Sequence, residues 1–250
     1  MKKLSLIFIF LLSAIAPAYA GESAEAYVQA DLVSAYLWRG QKNAGVSIQP
    51  VLGIRWRGLN FYIWGNEQLA PPSGQPVKHE IDFFLKYTFA PCFTVGLKDV
   101  YVNTRGNGFF SFGPIPHAAN GLDVLLASDL KYVNLEWTTT IAGYDGYNHS
   151  GKRSYGSYLI VGAPFRFAWL DWNAQAGIVP YYCSRYSDDR SGGFHVNMCA
   201  LKASHTFSFP KCAISLTPYT QFMVNPSART AYFQVGARFL FAPTQKQPSE

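Results

Sequence analysis

The chain has 250 residues, of which 16% are aromatic and only 14% charged, and 21 Lys+Arg against 15 Asp+Glu give a formal charge of +6. Ordinary soluble domains carry about 25% charged residues. The basic excess is spread out rather than clustered, which argues against a nucleic-acid partner, and after the N-terminal segment no run approaches 18 apolar residues, which excludes a helical membrane protein.

Residues 1–20, MKKLSLIFIFLLSAIAPAYA, combine Lys2 and Lys3, an apolar run from Leu4 to Ala16 and the small-residue site Ala18-Tyr19-Ala20. This reads as a secretory signal peptide, too short to span a bilayer as a helix. A retained anchor is the alternative. No cysteine follows the cleavage site, so lipoprotein attachment is not expected.

After that the chain reads as strand after strand, with no amphipathic helix. The strands fall at 26–39, 46–57, 59–69, 78–88, 92–103, 121–132, 134–145, 154–166, 168–182, 194–207, 211–224 and 230–241. Most are near eleven residues, enough at ~3.3 Å per residue and ~45° tilt to cross the apolar band of an outer-membrane barrel. Their faces divide sharply. In 46–57, Val46, Ile48, Leu52, Ile54 and Trp56 oppose Ser47, Gln49, Arg55 and Arg57. In 78–88, Ile81, Phe83, Leu85 and Tyr87 oppose Glu80, Asp82 and Lys86, and 121–132 and 230–241 divide the same way. A charge on a lipid face at mid-bilayer costs ~2–4 kcal/mol, so hydrocarbon enforces such a division. Asp99, Asp145 and Lys202 are exceptions, with a bulge as one explanation for Asp99 and Lys202.

Tight links near 58, 89–91, 133, 167 and 208–210 alternate with longer ones at 40–45, 70–77, 104–120, 146–153, 183–193 and 225–229. Short periplasmic turns and longer outer loops have this rhythm. The expected fold is therefore all-β, a closed antiparallel up-and-down transmembrane β-barrel of about 12 strands (10–14) in the bacterial cell outer membrane. The chain divides into a signal peptide at 1–20, the barrel at 21–241 and a short periplasmic tail at 242–250. A secreted β-sandwich is the competing fold, and it requires shorter strands and unordered loop lengths.

The stretches ADLVSAYLWRGQ, GVSIQPVLGIRWRGLNFYIWGN and EIDFFLKY resemble a Bacteroidota outer-membrane β-barrel family with a WRG first-strand motif, distantly similar to the TorF-like porins. The resemblance is densest over Ala30 to Tyr87 and implies an outer-membrane barrel. It supplies neither an agreed substrate nor catalytic residues. The final strand, AYFQVGARFLF, looks like an assembly signal ending in Phe241, although APTQKQPSE follows it.

Alternation assigns the candidate site residues. Lumen-lining candidates are Asp31, Arg39, Arg55, Glu80, Asp82, Lys86, Lys98, Asp123, Asp129, Lys131, Glu136, Asp171 and Arg238. Lipid-facing girdle candidates are Tyr36, Trp38, Trp56, Tyr87, Tyr132, Trp137, Trp172, Phe239 and Phe241. Arg39 is expected to point inward towards Asp31, Glu80 or Asp82, as a structural ion-pair member or a ligand contact. Such an interior suits passage of small polar solutes, or a structural or surface-interaction barrel with a plugged lumen. The expected partners are outer-membrane lipid and the outer-membrane assembly machinery; the oligomeric state is open.

No enzyme is expected. The nearest hydrolase material is His149 and Ser150, which as neighbours in a strand would point apart. His79, His117, His195 and His205 form no metal spacing, and Cys92, Cys183, Cys199 and Cys212 match no zinc pattern, so neither metal nor cofactor is expected. The cysteines read as free small hydrophobes or a disulfide pair. In the loop 104–120, Phe109, Phe110 and Phe112 pack on the rim or fold inward as a lid.

Overall fold

The computed structural model describes residues 24–242 except positions 72, 76, 91, 103–110, 113–118 and 188–192. The expected signal peptide, the tail from 243 onward, His117, Phe109 and Phe110 lie outside the described residues. The strands are β1 (Glu25–Val33), β2 (Tyr36–Trp38), β3 (Gln41–Ala44), β4 (Ser47–Trp56), β5 (Leu59–Gln68), β6 (His79–Ala90), β7 (Phe93–Val102) and β8 (Asn120–Asp129). They continue as β9 (Asn134–Gly143), β10 (Ser157–Phe167), β11 (Leu170–Val179), β12 (His195–Ser204), β13 (Phe207–Phe209), β14 (Ile214–Asn225) and β15 (Thr230–Phe241).

Twelve of these, among the described residues, form the wall. From β4 to β12 each pairs antiparallel with the next in sequence; β1 pairs with β4 and β15, and β15 with β14. The pairing of β12 with β14 closes the ring, and β13 extends β12 along the lower part of β14. Closure removes every wall edge, so each strand's backbone groups are paired without water, the condition for crossing a bilayer.

The faces follow the alternation. Ser47, Gln49, Val51 and Gly53 on β4 are buried, whereas Ile48 and Ile54 are exposed. Leu85, Tyr87, Leu97, Leu126, Phe222, Phe233 and Phe239 are all exposed. A continuous band of exposed large apolar side chains around a closed barrel is a hydrocarbon-facing surface. Both ends of the described chain lie at the tight-turn end, where Glu25 pairs with Arg55 and Val28 with Phe241. There Arg57 and Gly58, at φ 46° and 81°, make a two-residue turn between Trp56 and Leu59, the positive-φ geometry favoured in hairpins.

The expected first strand, 26–39, is corrected. The wall strand stops at Val33, and residues 36–44, partly read as loop, form a second hairpin inside the barrel. The departure is fastened to β15: the Ser34 N–H donates to the Val235 carbonyl at 2.9 Å, the Val235 N–H to Ser34 Oγ at 2.9 Å, and Gln234 Nε2 to the Ala35 carbonyl. Val33 and Ser47 remain register partners, so the wall closes without the residues between them.

Candidate functional site

The inward hairpin, β2–β3, crosses the bore from the β1–β4 seam. Its turn is Arg39-Gly40, at φ 46° and 82°, between Trp38 and Gln41. The tip meets the opposite wall. Asn197 Nδ2 donates to the Arg39 carbonyl and Asn225 Nδ2 to the Gly40 carbonyl, both at 3.1 Å. A Cβ on Gly40 would lie 2.0 Å from the Asn197 carbonyl oxygen, so the tip sits directly on β12.

Arg39 is buried and reaches β9. Its Nη2 donates to Glu136 Oε1 at 3.1 Å and Thr138 Oγ1 at 2.7 Å, and its Nη1 to the Tyr186 hydroxyl at 2.6 Å. The guanidinium carbon lies 4.6 Å from the Tyr158 ring centroid, 5.1 Å from that of Trp38 and 5.4 Å from that of Tyr186. The inward direction agrees with the alternation, but the partner does not: it is Glu136, because the strand break carries Arg39 across the lumen.

A second non-wall segment, residues 180–187 between β11 and β12, lies against the hairpin. Arg185 Nη1 donates to both Asp123 oxygens at 2.9 Å and to Thr140 Oγ1 at 3.3 Å, and Nε pairs with Asp145 Oδ2 at 3.1 Å. Gln41 Nε2 donates to the Arg185 carbonyl at 3.0 Å. Lys98 Nζ pairs with Asp82 Oδ2 at 2.7 Å. The Trp38 ring is shared by three cations, with centroid distances of 5.0 Å to Arg185, 5.1 Å to Arg39 and 5.7 Å to Lys98.

Tyr36 and Trp38 are therefore corrected as girdle residues. Tyr36 is buried, donates to Glu80 Oε1 at 3.3 Å and packs on Trp64 at 5.4 Å between centroids. Trp38 packs on Tyr186 at 5.7 Å. The chain turns inward at Ser34–Ala35, which takes both rings away from the outer surface. Of the other girdle candidates, Trp56, Tyr87, Tyr132, Phe239 and Phe241 are exposed and Trp137 and Trp172 half-buried.

Towards the tight-turn end Arg55, Lys86 and Arg238 are more open, while Asp31 is buried. Asp31 is held by Arg238, with Nε and Nη2 each 2.9 Å from one carboxylate oxygen. Arg55 lies over the Tyr27 ring at 4.3 Å, and Lys86 lies 5.6 Å and 5.4 Å from the Tyr62 and Phe84 centroids. Asp129 is exposed at the end of β8, and Asp171 at the rim is 3.9 Å from Arg166. Lys131 is corrected: it belongs to the β8–β9 turn and lies over the Tyr132 ring at 5.0 Å, outside the lumen, because the strand ends two residues earlier.

One exception to the alternation, Lys202, is also explained. Gly177 pairs with Met198 and Ile178 with Val196, leaving Asn197 as a bulge. The bulge reverses the phase of β12 and turns Lys202 inward, 3.8 Å from the Tyr219 centroid. Asp99 lies outside this scheme, with both oxygens 3.0 Å from Asn120 Nδ2. His149 stacks on Tyr182 at 3.4 Å, while the Ser150 N–H donates to Asn148 Oδ1 at 3.0 Å. All four cysteines are free. Among the described residues no group of three or more His, Cys, Asp or Glu could hold a metal.

Sequence reasoning missed Asn197, Tyr158, Tyr186 and Arg185. The repeated tripeptide Trp-Arg-Gly, at 38–40 and 56–58, was the available signal. Its second copy sits at a tight link, so the first also reads as a turn.

The even-stranded closed wall, the outward apolar band and the alternation of short and long links define a transmembrane β-barrel of the bacterial outer membrane. No family model and no curated protein sequence matches the chain. Among solved structures it is similar to an outer membrane channel from Pseudomonas putida F1, at 9% identity over 90% of this chain and 97% of that one, with a TM-score of 0.44. It is also similar to outer membrane phospholipase A from Escherichia coli, at 14% identity over 87% and 92%, TM-score 0.38. A third similarity is to the P. putida toluene transporter TodX, at 10% identity over 92% of each chain, TM-score 0.39. No residue role is carried from any of them to this chain.

Proposed function

We propose that this chain is an outer-membrane channel for small polar solutes whose bore is closed by the hairpin Tyr36–Ala44. The observation that carries the reading is the chemistry of the hairpin's seat. Arg39, Gln41 and the tip carbonyls are held by a carboxylate, hydroxyls, a backbone carbonyl and amides, while Trp38 and Leu37 pack against small apolar clusters of the opposite side. Water can replace every one of those bonds when the hairpin swings out, and buried ion pairs gain little over their hydrated state. The vacated wall would be polar, with Glu136 and Thr138 facing the path and Arg185 still seated on Asp123 and Thr140. Access through such a bore is set by its charged lining and width.

The test is conductance in planar bilayers. Residues 35–45 are replaced by a four-residue turn, which the Val33–Ser47 register accommodates. The native protein is expected to open rarely, and the hairpin-free barrel to show frequent, long-lived steps. A hairpin-free barrel that keeps the heat-modifiable mobility of a folded barrel yet stays silent would refute the channel. It would leave a structural or surface-interaction barrel with a filled lumen.

A further inference from the structure

The charges that neutralise one another inside the barrel come from different parts of the chain. Glu80, Asp82, Asp123 and Glu136 belong to the wall strands β6, β8 and β9, and among the described residues the wall cation paired with one of them is Lys98. Two guanidinium groups arrive on non-wall segments, Arg39 on the hairpin to Glu136 and Arg185 on the 180–187 segment to Asp123. The acceptors they use form a column. Glu136, Thr138 and Thr140 alternate on the inward face of β9, spanning about 13 Å at ~3.3 Å per residue. Asp123 stands beside Thr140, its Oδ1 2.8 Å from that hydroxyl, and Tyr158 is the register partner of Thr138. Arg39 occupies the Glu136–Thr138 step and Arg185 the Thr140–Asp123 step.

We propose that the β8–β10 wall is a two-step binding track for small organic cations bearing a guanidinium head, with Arg39 the built-in occupant of the Glu136–Thr138 step and Arg185 that of the Thr140–Asp123 step. The site has the parts such a head needs: a carboxylate and a hydroxyl that accept from one guanidinium nitrogen, the Tyr186 hydroxyl that accepts from the other, and the Tyr158 ring, 4.6 Å from the Arg39 guanidinium carbon. Fork-shaped donors suit this arrangement better than a point charge does, and the ring face adds a cation–π contribution. Withdrawal of the hairpin takes the Arg39 charge away from Glu136, so an incoming cation restores the pairing that Arg39 supplied. The track serves transport only if the hairpin withdraws and in that respect rests on the channel reading; binding is measured without any current.

The experiment titrates methylguanidinium into the micellar Arg39→Asn protein by calorimetry, with neutral methylurea as the isostere. Asn tolerates positive φ, so the turn is kept while the cation is lost. Saturable binding of methylguanidinium, none of methylurea, and none of either to the native protein is the expected result. Adding Glu136→Gln should weaken binding about tenfold, as loss of one charge-assisted bond implies. If Arg39→Asn does not fold, the hairpin-free barrel carries the same titration. No binding to a folded variant, equal binding of methylurea, or unchanged affinity in the Glu136→Gln double variant would overturn the proposal. Binding retained in a barrel that never conducts would overturn the channel alone; conduction without binding would overturn the track alone.

Discussion

Gly40 is the residue on which the hairpin's seat turns. Arg39 and Arg57 share the same φ of 46°, and each precedes a glycine near 80°, so one local sequence makes one local turn in two surroundings. Outside, Arg57 lies over Trp56 at 5.4 Å in the open. Inside, Gly40 has no room for a Cβ. In Gly40→Ala the left-handed backbone costs about 1–2 kcal/mol, and the methyl collides with the Asn197 carbonyl. The wall uses none of this, so the variant should still fold as a barrel but hold its hairpin loosely. Trypsin reports the difference, since Arg39 is shielded in the native protein. Gly40→Ala should be cleaved at Arg39 or Lys42 at least about tenfold faster, while cleavage at the exposed Lys152 stays the same. Equal rates at Arg39 would mean the tip contact is not what seats the hairpin. A turn after Arg39 was legible in the loop composition of 40–45, and the Trp-Arg-Gly repeat, unread, would have fixed its form. What it did not give was the direction of the chain: alternation continues in phase through Ser34, Ala35 and Tyr36, and neither Gly nor Pro marks the bend.

At the scale of the element, the β12 bulge ties wall, hairpin and inner segment together. Asn197 Oδ1 accepts from the Tyr158 hydroxyl at 2.7 Å, and its Nδ2 donates to the carbonyls of Arg39 at 3.1 Å and Tyr186 at 3.3 Å. The side chain is 1% exposed, so Asn197→Ala strands those partners without water. Each stranded group costs about 1–3 kcal/mol. A loss of at least about 2 kcal/mol in urea unfolding from vesicles is expected, against less than about 0.5 kcal/mol for an exposed control such as Lys152→Ala. A near-neutral Asn197→Ala would show that water reaches these groups and that the seat is already wet. The bulge also marks where strict alternation fails. Val196 and Lys202 share sequence parity, yet the skipped register at Asn197 sends Val196 out and Lys202 in. The faces of β4, β6 and β8 were legible because hydrocarbon allows one side of each strand no charge. A bulge carries no comparable compositional penalty, and so left only the misplaced lysine as its trace.

For the whole molecule, the wall was legible and the contents of the bore were not. The outward face answers to a single solvent, whereas the inward face answers to segments that arrive from sequence positions 97 and 147 residues from one another's partners, as Arg39 does to Glu136 and Tyr186. The position of those segments decides which mouth of the barrel they lie at once the orientation in the membrane is known. The hairpin and the 180–187 segment both enter from the long-link end, and the termini of the barrel sit at the short-turn end. If short turns face the periplasm, the hairpin closes the bore against the cell exterior. An epitope inserted at Gly151 or Gly74, where a Cβ would meet nothing within 4 Å, should then bind antibody on intact cells. One inserted between Ala168 and Trp169, in the two-residue turn between Phe167 and Leu170, should bind only after the outer membrane is permeabilised. The opposite pattern would turn the barrel over. In the proposed channel Arg39 would then meet solutes leaving the periplasm rather than those arriving from outside, and the proposed cation track would have to be read as an exit.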